Sequence, residues 1–430
     1  MKILAFNLNI HKYFLLKKYR FFDIGNDNFY FDEQTTRSLI ENSERTCLKP
    51  ALEMLLSMVR HYKRRFRFSI TVSGTIMQLI EQSCPYTLQL LQQLARTGSV
   101  EFVASPYNHS LSGINDIEDF RQQIRLSVSE IQRLFGVTPE TLQNSDLLYT
   151  DSIGTTAYQE GFKAMLVQPE PRSLEVKGPD YLYFHHTAQR LKIITQNSNY
   201  SMLFENALKD GHLFTPEYLV EQLGTNAAGG DILFASLNSE YLDGSKYNNR
   251  DVLLYVKTFV EKILESKRFK FDIPSSAIQK IQPIGPYKLP DPVPGLNYPT
   301  YLAPWLGNDL QREAFSKLNA LKDRVKIAAN STLQLIWQRL QCSDYFYFMS
   351  DGYLDDTKQN IVTNPFGTPY NAFITYMNII GDFERRVNLT VENTTVDQLS
   401  DKQLADSIKY YQARIKELKQ EYQKRSLQTI

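Results

Sequence analysis

Several shortages in this chain each remove a class of function. Its 430 residues contain three cysteines, Cys47, Cys84 and Cys342, far apart and odd in number. They support neither a disulfide framework nor a CxxC zinc site, and a reducing cytoplasm is the expected setting. Net charge is nearly absent, with 48 Lys and Arg against 47 Asp and Glu. That balance gives no global pull toward nucleic acid or an anionic membrane, so neither is an expected partner. No run approaches the roughly 18 apolar residues of a membrane span. The opening MKILAFNLNIHKYFLLKKYRFF is broken by Asn7, Asn9 and His11, and is expected to form strand and loop rather than a leader. There is no P-loop and no G-x-S-x-G elbow. Cys84 precedes Pro85 in a helix-end pattern and makes a poor nucleophile candidate. His11 and His109 stand singly, and the adjacent His185 and His186 are not expected to face one site, so no metal site and no cofactor are expected. Tryptophan is scarce, two against 26 Tyr and 25 Phe. Tyrosine joins a flat apolar face to a hydroxyl, which suits sugar-holding surfaces, although an aromatic-rich core is the simpler source of the count.

What is present is alternation. Strand candidates are Lys2 to Ile10, Phe66 to Val72, Val100 to Ala104, Thr141 to Asn144, Ala164 to Val167, Leu191 to Thr195 and Asp231 to Ser236. Helical patterns lie between them, at Pro50 to Tyr62, Thr75 to Gln82 and Asp116 to Phe135. In the last, Ile117, Phe120, Ile124, Val128, Ile131 and Leu134 recur at three- and four-residue steps before Gly136. Strand, loop, helix in repetition predicts an α/β fold with a mainly parallel sheet, whose function collects at the carboxyl ends of the strands. His11, the His109 loop, Asp146 and the segment after Ser236 all follow strand candidates. The Pro-rich stretch Phe271 to Pro299 reads as a crossing between two bodies. Helices are expected beyond it at Asp309 to Lys322, Val325 to Gln341 and Ala372 to Arg386. The tail Leu399 to Tyr422 carries a short heptad seam, suited either to its own domain or to a homo-oligomer. The basic run Lys63, Arg64, Arg65 and Arg67 is read as a solvated strand edge rather than a nucleic-acid patch.

Certain segments are more specific. KKYRFFDIGN from Lys17, GSVEFVASPYNHSL from Gly98, QNSDLLYTDSIG from Gln143, GFKAML from Gly161, WLGNDLQREAFSKL from Trp305, DYFYFMSDGY from Asp344 and NPFGTPYNAFITYMNIIGDFERRVN from Asn364 resemble the family 57 glycoside hydrolases. The likeness is to their α-amylase-like branch and runs to about Asn388. It implies a distorted (β/α)7 barrel over residues 1–290, with a C-terminal helical bundle packed on the barrel mouth over 291–390 and an amphipathic helix over 391–430. It also implies retaining chemistry on α-1,4-glucans such as starch, glycogen or maltodextrin. A Glu nucleophile would follow the fourth strand and an Asp acid the seventh. Substrate contacts would come from His11, Glu101, His109, Trp305, Tyr345 and Asp351.

The motifs depart from the family where chemistry would occur. His-Gln-Pro is here His11-Lys12-Tyr13, and Asn-Thr-Glu-Leu is Asn144-Ser145-Asp146-Leu147. Asp146 at the nucleophile position is shorter by one C–C bond, roughly 1.5 Å. The acid position is Ser236 without a gap, or Asn238 if the following Glu is superposed. Neither is a carboxylate, and losing a general acid costs about 10²–10⁴-fold. Glu240 and Asp243 are candidate substitutes. A family histidine is Tyr345. The expectation is a glucan-binding protein with weak or lost hydrolysis. The alternative is an active retaining hydrolase or 4-α-glucanotransferase using Asp146 with Glu240 or Asp243.

Overall fold

The computed structural model describes residues 1–174, 177–209, 214–226, 229–247, 251–293, 298–353, 363–393 and 401–428. Leu399 and Ser400, at the start of the expected tail seam, lie outside them. The chain forms two units, Met1–Leu15 with Glu33–Tyr301, and Leu16–Asp32 with Leu302–Ile430.

The strands of the first unit are β1 (Lys2–Ile10), β2 (Phe68–Val72), β3 (Val100–Val103), β4 (Thr141–Gln143), β5 (Ala164–Val167), β6 (Leu182–His185), β7 (Ala188–Thr195), β8 (Ile232–Asn238), β9 (Phe269–Phe271) and β10 (Pro286–Tyr287). One sheet runs β3-β2-β1-β8, with β9 on β1, and the other runs β10-β6-β7-β5-β4. Two single parallel bridges join them, Ala104 to Leu142 and Gln196 to Phe234. A distorted seven-stranded barrel results, β1-β2-β3-β4-β5-β7-β8, whose ladder thins to one bridge at each of two seams. β6 and its antiparallel pairing with β7 were not among the expected strands, which included only Leu191 to Thr195 in this region.

Strand periodicity explains the interior. Alternate residues of β1 share a face, and the register sets Ile3 beside Ile232, Ala5 beside Phe234, Asn7 beside Ser236 and Asn9 beside Asn238. The lower pairs join Val103, Leu166, Ile194 and Ala277 in one apolar cluster. The upper pairs are polar. The same strand therefore supplies a core at its amino half and a hydrogen-bonding floor at its carboxyl half.

Helices close the outside. Ile117–Phe135 begins where Asp116 accepts a bond from Asp119 N at 3.2 Å and ends at left-handed Gly136.

In the second unit, Asp382 anchors the early segment by accepting bonds from Tyr30 Oη at 2.6 Å and Gly25 N at 2.7 Å. Residues 16–32, expected within the barrel, belong here for that reason. The expected helix Val325 to Gln341 is broken. Ala329 turns left-handed, and Asn330 caps a new helix, Ser331–Leu340, by accepting from Leu333 N at 3.0 Å. The helices Pro369–Asn393 and Asp401–Gln428 follow. Among the described residues, no helix is long and apolar enough to cross a membrane.

Candidate active site

The carboxyl ends of the barrel strands carry the candidate site. Its floor is Asn7, fully buried, whose Nδ2 donates to Thr71 Oγ1 at 3.1 Å, Gln143 Oε1 at 3.2 Å and Ser236 Oγ at 3.4 Å. Its Oδ1 accepts from Ser69 Oγ at 2.8 Å. Ser236, expected at the acid position if no gap is allowed, is thus one member of a neutral hydrogen-bonded layer. Asn238, the gapped acid position, is exposed one layer higher and accepts from Asn9 Nδ2 at 2.9 Å. Asn7 and Gln143 were missed in the sequence, because the inward polar face of β1 shows only as the alternation in LNLNI.

Above this floor the loops converge. His11, just past β1, shares a 2.8 Å hydrogen bond between its Nδ1 and Ser73 Oγ. Its ring stacks on His109 with centroids 3.9 Å apart and planes at 17°. Ser145 Oγ donates to the carbonyl of Ser110 at 2.7 Å, which ties the turn holding Asp146 to the loop holding His109. His109, Asp146 and Leu147 all have φ between 53° and 61°. Left-handed backbone costs a non-glycine residue on the order of 1 kcal/mol, and such outliers concentrate at functional sites. Next to Asp146, the buried Asn144 has no hydrogen-bond partner at Oδ1 or Nδ2, and Ser105 Oγ after β3 is likewise unpartnered. Buried polar groups without partners are costly in an isolated fold and are natural contacts for a polar ligand.

The carboxylates after β8 are already engaged. Glu240 forms ion pairs with Lys12 and, at 3.0 Å, with Lys246. Desolvation pushes its carboxyl up, but the two lysines outweigh burial and hold it below the ordinary Glu value. Two departures noted in the sequence, Lys12 and the rebuilt fourth motif, therefore meet each other. Asp243 is buried and accepts from Thr46 Oγ1 at 3.0 Å, Ser245 N at 3.1 Å and Ser245 Oγ at 2.5 Å. Nearby Cys47 is no nucleophile, since burial and Asp243 push its thiol up to about 12. The three cysteines are buried and form no disulfide.

The other expected site residues have the following surroundings. Glu101 is buried low in the barrel, where its carboxylate accepts from Thr141 Oγ1 at 2.5 Å and Ser275 N at 2.9 Å. Burial raises its pKa, against those hydrogen bonds. It is placed to cap the turn Pro274–Ala277 rather than to meet the carboxyl-end loops. In the second unit, Trp305 is half-buried beside Tyr347 at 6.3 Å. Tyr345 is buried against Tyr376 at 6.0 Å, and Asp351 accepts from Asn308 Nδ2 at 2.9 Å.

The expectation that His185 and His186 cannot converge needs correction. A register irregularity at Phe184/His185 turns both rings toward Asp151, and possible ligand atoms of the three residues lie within 4.8 Å of one another. His185, however, is committed within the protein. His185 Nδ1 meets Tyr149 Oη at 2.7 Å, and its Nε2 meets Thr187 Oγ1 at 3.0 Å. Burial, with His186 nearby, lowers its pKa and keeps it neutral. It serves as a core hydrogen-bonding histidine.

With this geometry in hand, the comparisons are specific. The sequence model of glycosyl hydrolase family 57 matches residues 5–290. A protein of Methanocaldococcus jannaschii described as "Putative alpha-amylase" is 23% identical over 411 residues, covering 92% of this chain and 87% of that one. A branching enzyme of the same family from Thermococcus kodakaraensis, solved with glucose, superposes with a TM-score of 0.66 at 12% identity, covering 94% and 93% of the two chains. A 4-alpha-glucanotransferase from Thermococcus litoralis superposes at 0.56 and 13% identity. It matches 80% of this chain, which spans only 56% of that protein's length. At such identities the structural likenesses establish the fold.

Proposed function

The chain belongs to glycosyl hydrolase family 57, and from that premise we propose that it binds α-glucan in an α-amylase-like cleft while its hydrolysis is weak or lost. The observation that carries this reading is the state of the acid position. Retaining glycoside cleavage needs one carboxylic acid that is protonated at working pH and one nucleophilic carboxylate. Ser236 and Asn238 offer neutral hydrogen-bonding groups only. Glu240, the nearest substitute, is held ionised by Lys12 and Lys246, which suits an ion pair and not a proton donor. Asp243 has its oxygens occupied by Thr46 and Ser245. At the nucleophile position, Asp146 draws its carboxylate back by about one bond, and a displacement on the order of 1 Å costs roughly a hundredfold.

What the site retains suits a neutral polyol. The stacked His11 and His109, the amide of Asn144 and the hydroxyl of Ser105 are polar hydrogen-bonding groups at the strand ends. On the second unit, Trp305 and Tyr345 remain proposed sugar contacts. Buried thiols without a disulfide support a cytoplasmic setting. Half-exposed Ile408, Tyr411, Ile415 and Leu418 support pairing of two copies through Asp401–Gln428. An unchanged oligomeric mass after removal of residues 401–430 would exclude that pairing.

The test is to measure maltoheptaose cleavage and amylose or glycogen binding on one preparation. Saturable binding without cleavage above the spontaneous rate is expected. Ordinary turnover abolished by Glu240→Gln would instead establish the alternative, a hydrolase or transferase using Asp146 with a relocated acid.

A further inference from the structure

At the opposite, amino-terminal ends of the strands, the chain that is almost neutral overall gathers its cations. Two concave cavities lie side by side there. One, of about 630 Å³, is lined by Arg60, Lys63, Arg64 and Arg65 and by no carboxylate. The other, of about 600 Å³, shares Arg64 and Arg65 and adds Arg67, Lys267, Lys270 and Lys280. Its single carboxylate, Asp272, is taken by Arg67 at 2.7 Å and by Lys280. Arg67 Nε is buried there without a hydrogen-bond partner.

The turns that present these cations make the feature more than a solvated edge. Five helix-to-strand turns on this face pass through left-handed backbone. Three use glycine, the residue that adopts it without steric cost: Gly98, Gly136 and Gly161. The turns entering β2 and β9 use Lys63 at φ 52° and Lys267 at φ 54° instead. Both lysine turns border the cavities, as the Gly98 turn also does, and each places a lysine there.

We propose that these cavities form a binding site for a small, soluble phosphate ester carrying several negative charges. Arginine pairs offer planar, bidentate donors matched to phosphoryl oxygens, and the cavity sizes are those of small-ligand sites. A nucleic-acid strand is the poorer fit. Of the aromatic side chains lining the two cavities, Phe269 and Phe271 are buried and Tyr62 is half-buried with its Oη donating to Glu261 at 3.2 Å, so no series of stacking faces is offered. This site lies at the end of the barrel away from the proposed glucan cleft, and its test does not depend on that cleft.

The test is calorimetric titration of the full chain with ATP and with inorganic tripolyphosphate at low and moderate salt. Saturable binding that weakens as salt rises is expected. Arg64→Gln with Arg65→Gln should lower affinity for both probes at least tenfold, and Arg190→Gln, an exposed cation elsewhere, should leave it unchanged. Lys63→Gly and Lys267→Gly should each weaken binding while leaving the melting temperature equal or higher, since glycine relieves the left-handed turn. No saturable binding of either probe, or full binding by the double arginine variant, would overturn the proposal. So would tighter capture of a single-stranded oligonucleotide or of phosphatidylserine vesicles than of ATP.

Discussion

The two ends of the barrel strands in the first unit are built from the same secondary structure and carry different electrostatics. At the carboxyl ends both signs occur together, Lys12 and Lys246 pairing with Glu240 beside Asp243 and Asp146, among amide, hydroxyl and imidazole groups. At the amino ends, cations outnumber the one carboxylate that lines the cavities. Backbone strain follows the same division. At the carboxyl ends it falls on His109, Asp146 and Leu147, and at the amino ends on Lys63 and Lys267. In parallel barrels the carboxyl face normally carries chemistry and the amino face stability. Here the usual active face carries charges of both signs, and the usual structural face carries an excess of cations.

The largest effect should come from the apolar layer separating the two ends. Phe234→Ala is expected to cost about 4 kcal/mol in urea unfolding, the range for emptying a buried aromatic site. Asn7→Ala should cost less, about 2 kcal/mol, because it strands the polar groups of Thr71, Gln143 and Ser236 without opening a large cavity. A cost equal to that of Phe234→Ala would mean that the polar floor is as structural as the core below it.

Two carboxylates should then give opposite pH signatures. Glu240 titrates below its ordinary value in the folded chain. Its stabilisation is present above the usual Glu range and is lost as pH falls through the lowered value. Lys12→Met should remove part of that stabilisation at neutral pH and flatten the acid limb of a stability profile. Glu101 titrates above its ordinary value. Its favourable contribution is present below the usual Glu range and is lost as pH rises through the raised value. Glu101→Gln should abolish that loss. Identical profiles for the two variants would break the comparison. The smallest signal should be catalytic: Asp146→Glu with Ser236→Asp should yield trace maltoheptaose cleavage, and none would indicate a remodelled cleft.

Much of the fold was legible because it rests on local periodicity. Lys2–Ile10 and Ala164–Val167 have the bounds expected from the sequence, and Ile117–Phe135 differs by one residue at its cap. What escaped was set by long-range contacts. Asp382 draws residues 16–32 into the second unit, and Asn330 breaks a helix whose apolar pattern continues across it. At the site, motif comparison singled out Lys12 and the segment after Ser236 but not that the two meet. That Lys12 and Glu240 neutralise each other requires two loops 228 residues apart to meet. The Asn7 layer needs five side chains from four strands. The glycine-to-lysine exchange at two turns becomes visible only when all five turns are seen on one face.

Under the proposed function the cleft keeps sugar binding and lacks the acid step. The most direct test is the rate of maltoheptaose hydrolysis by the unaltered chain under conditions where amylose binding is saturated. Starting from a typical enzyme rate of about 10 s⁻¹, the shortened nucleophile and missing acid predict about 10⁻³ s⁻¹ or less. A rate near 10 s⁻¹ would contradict the account.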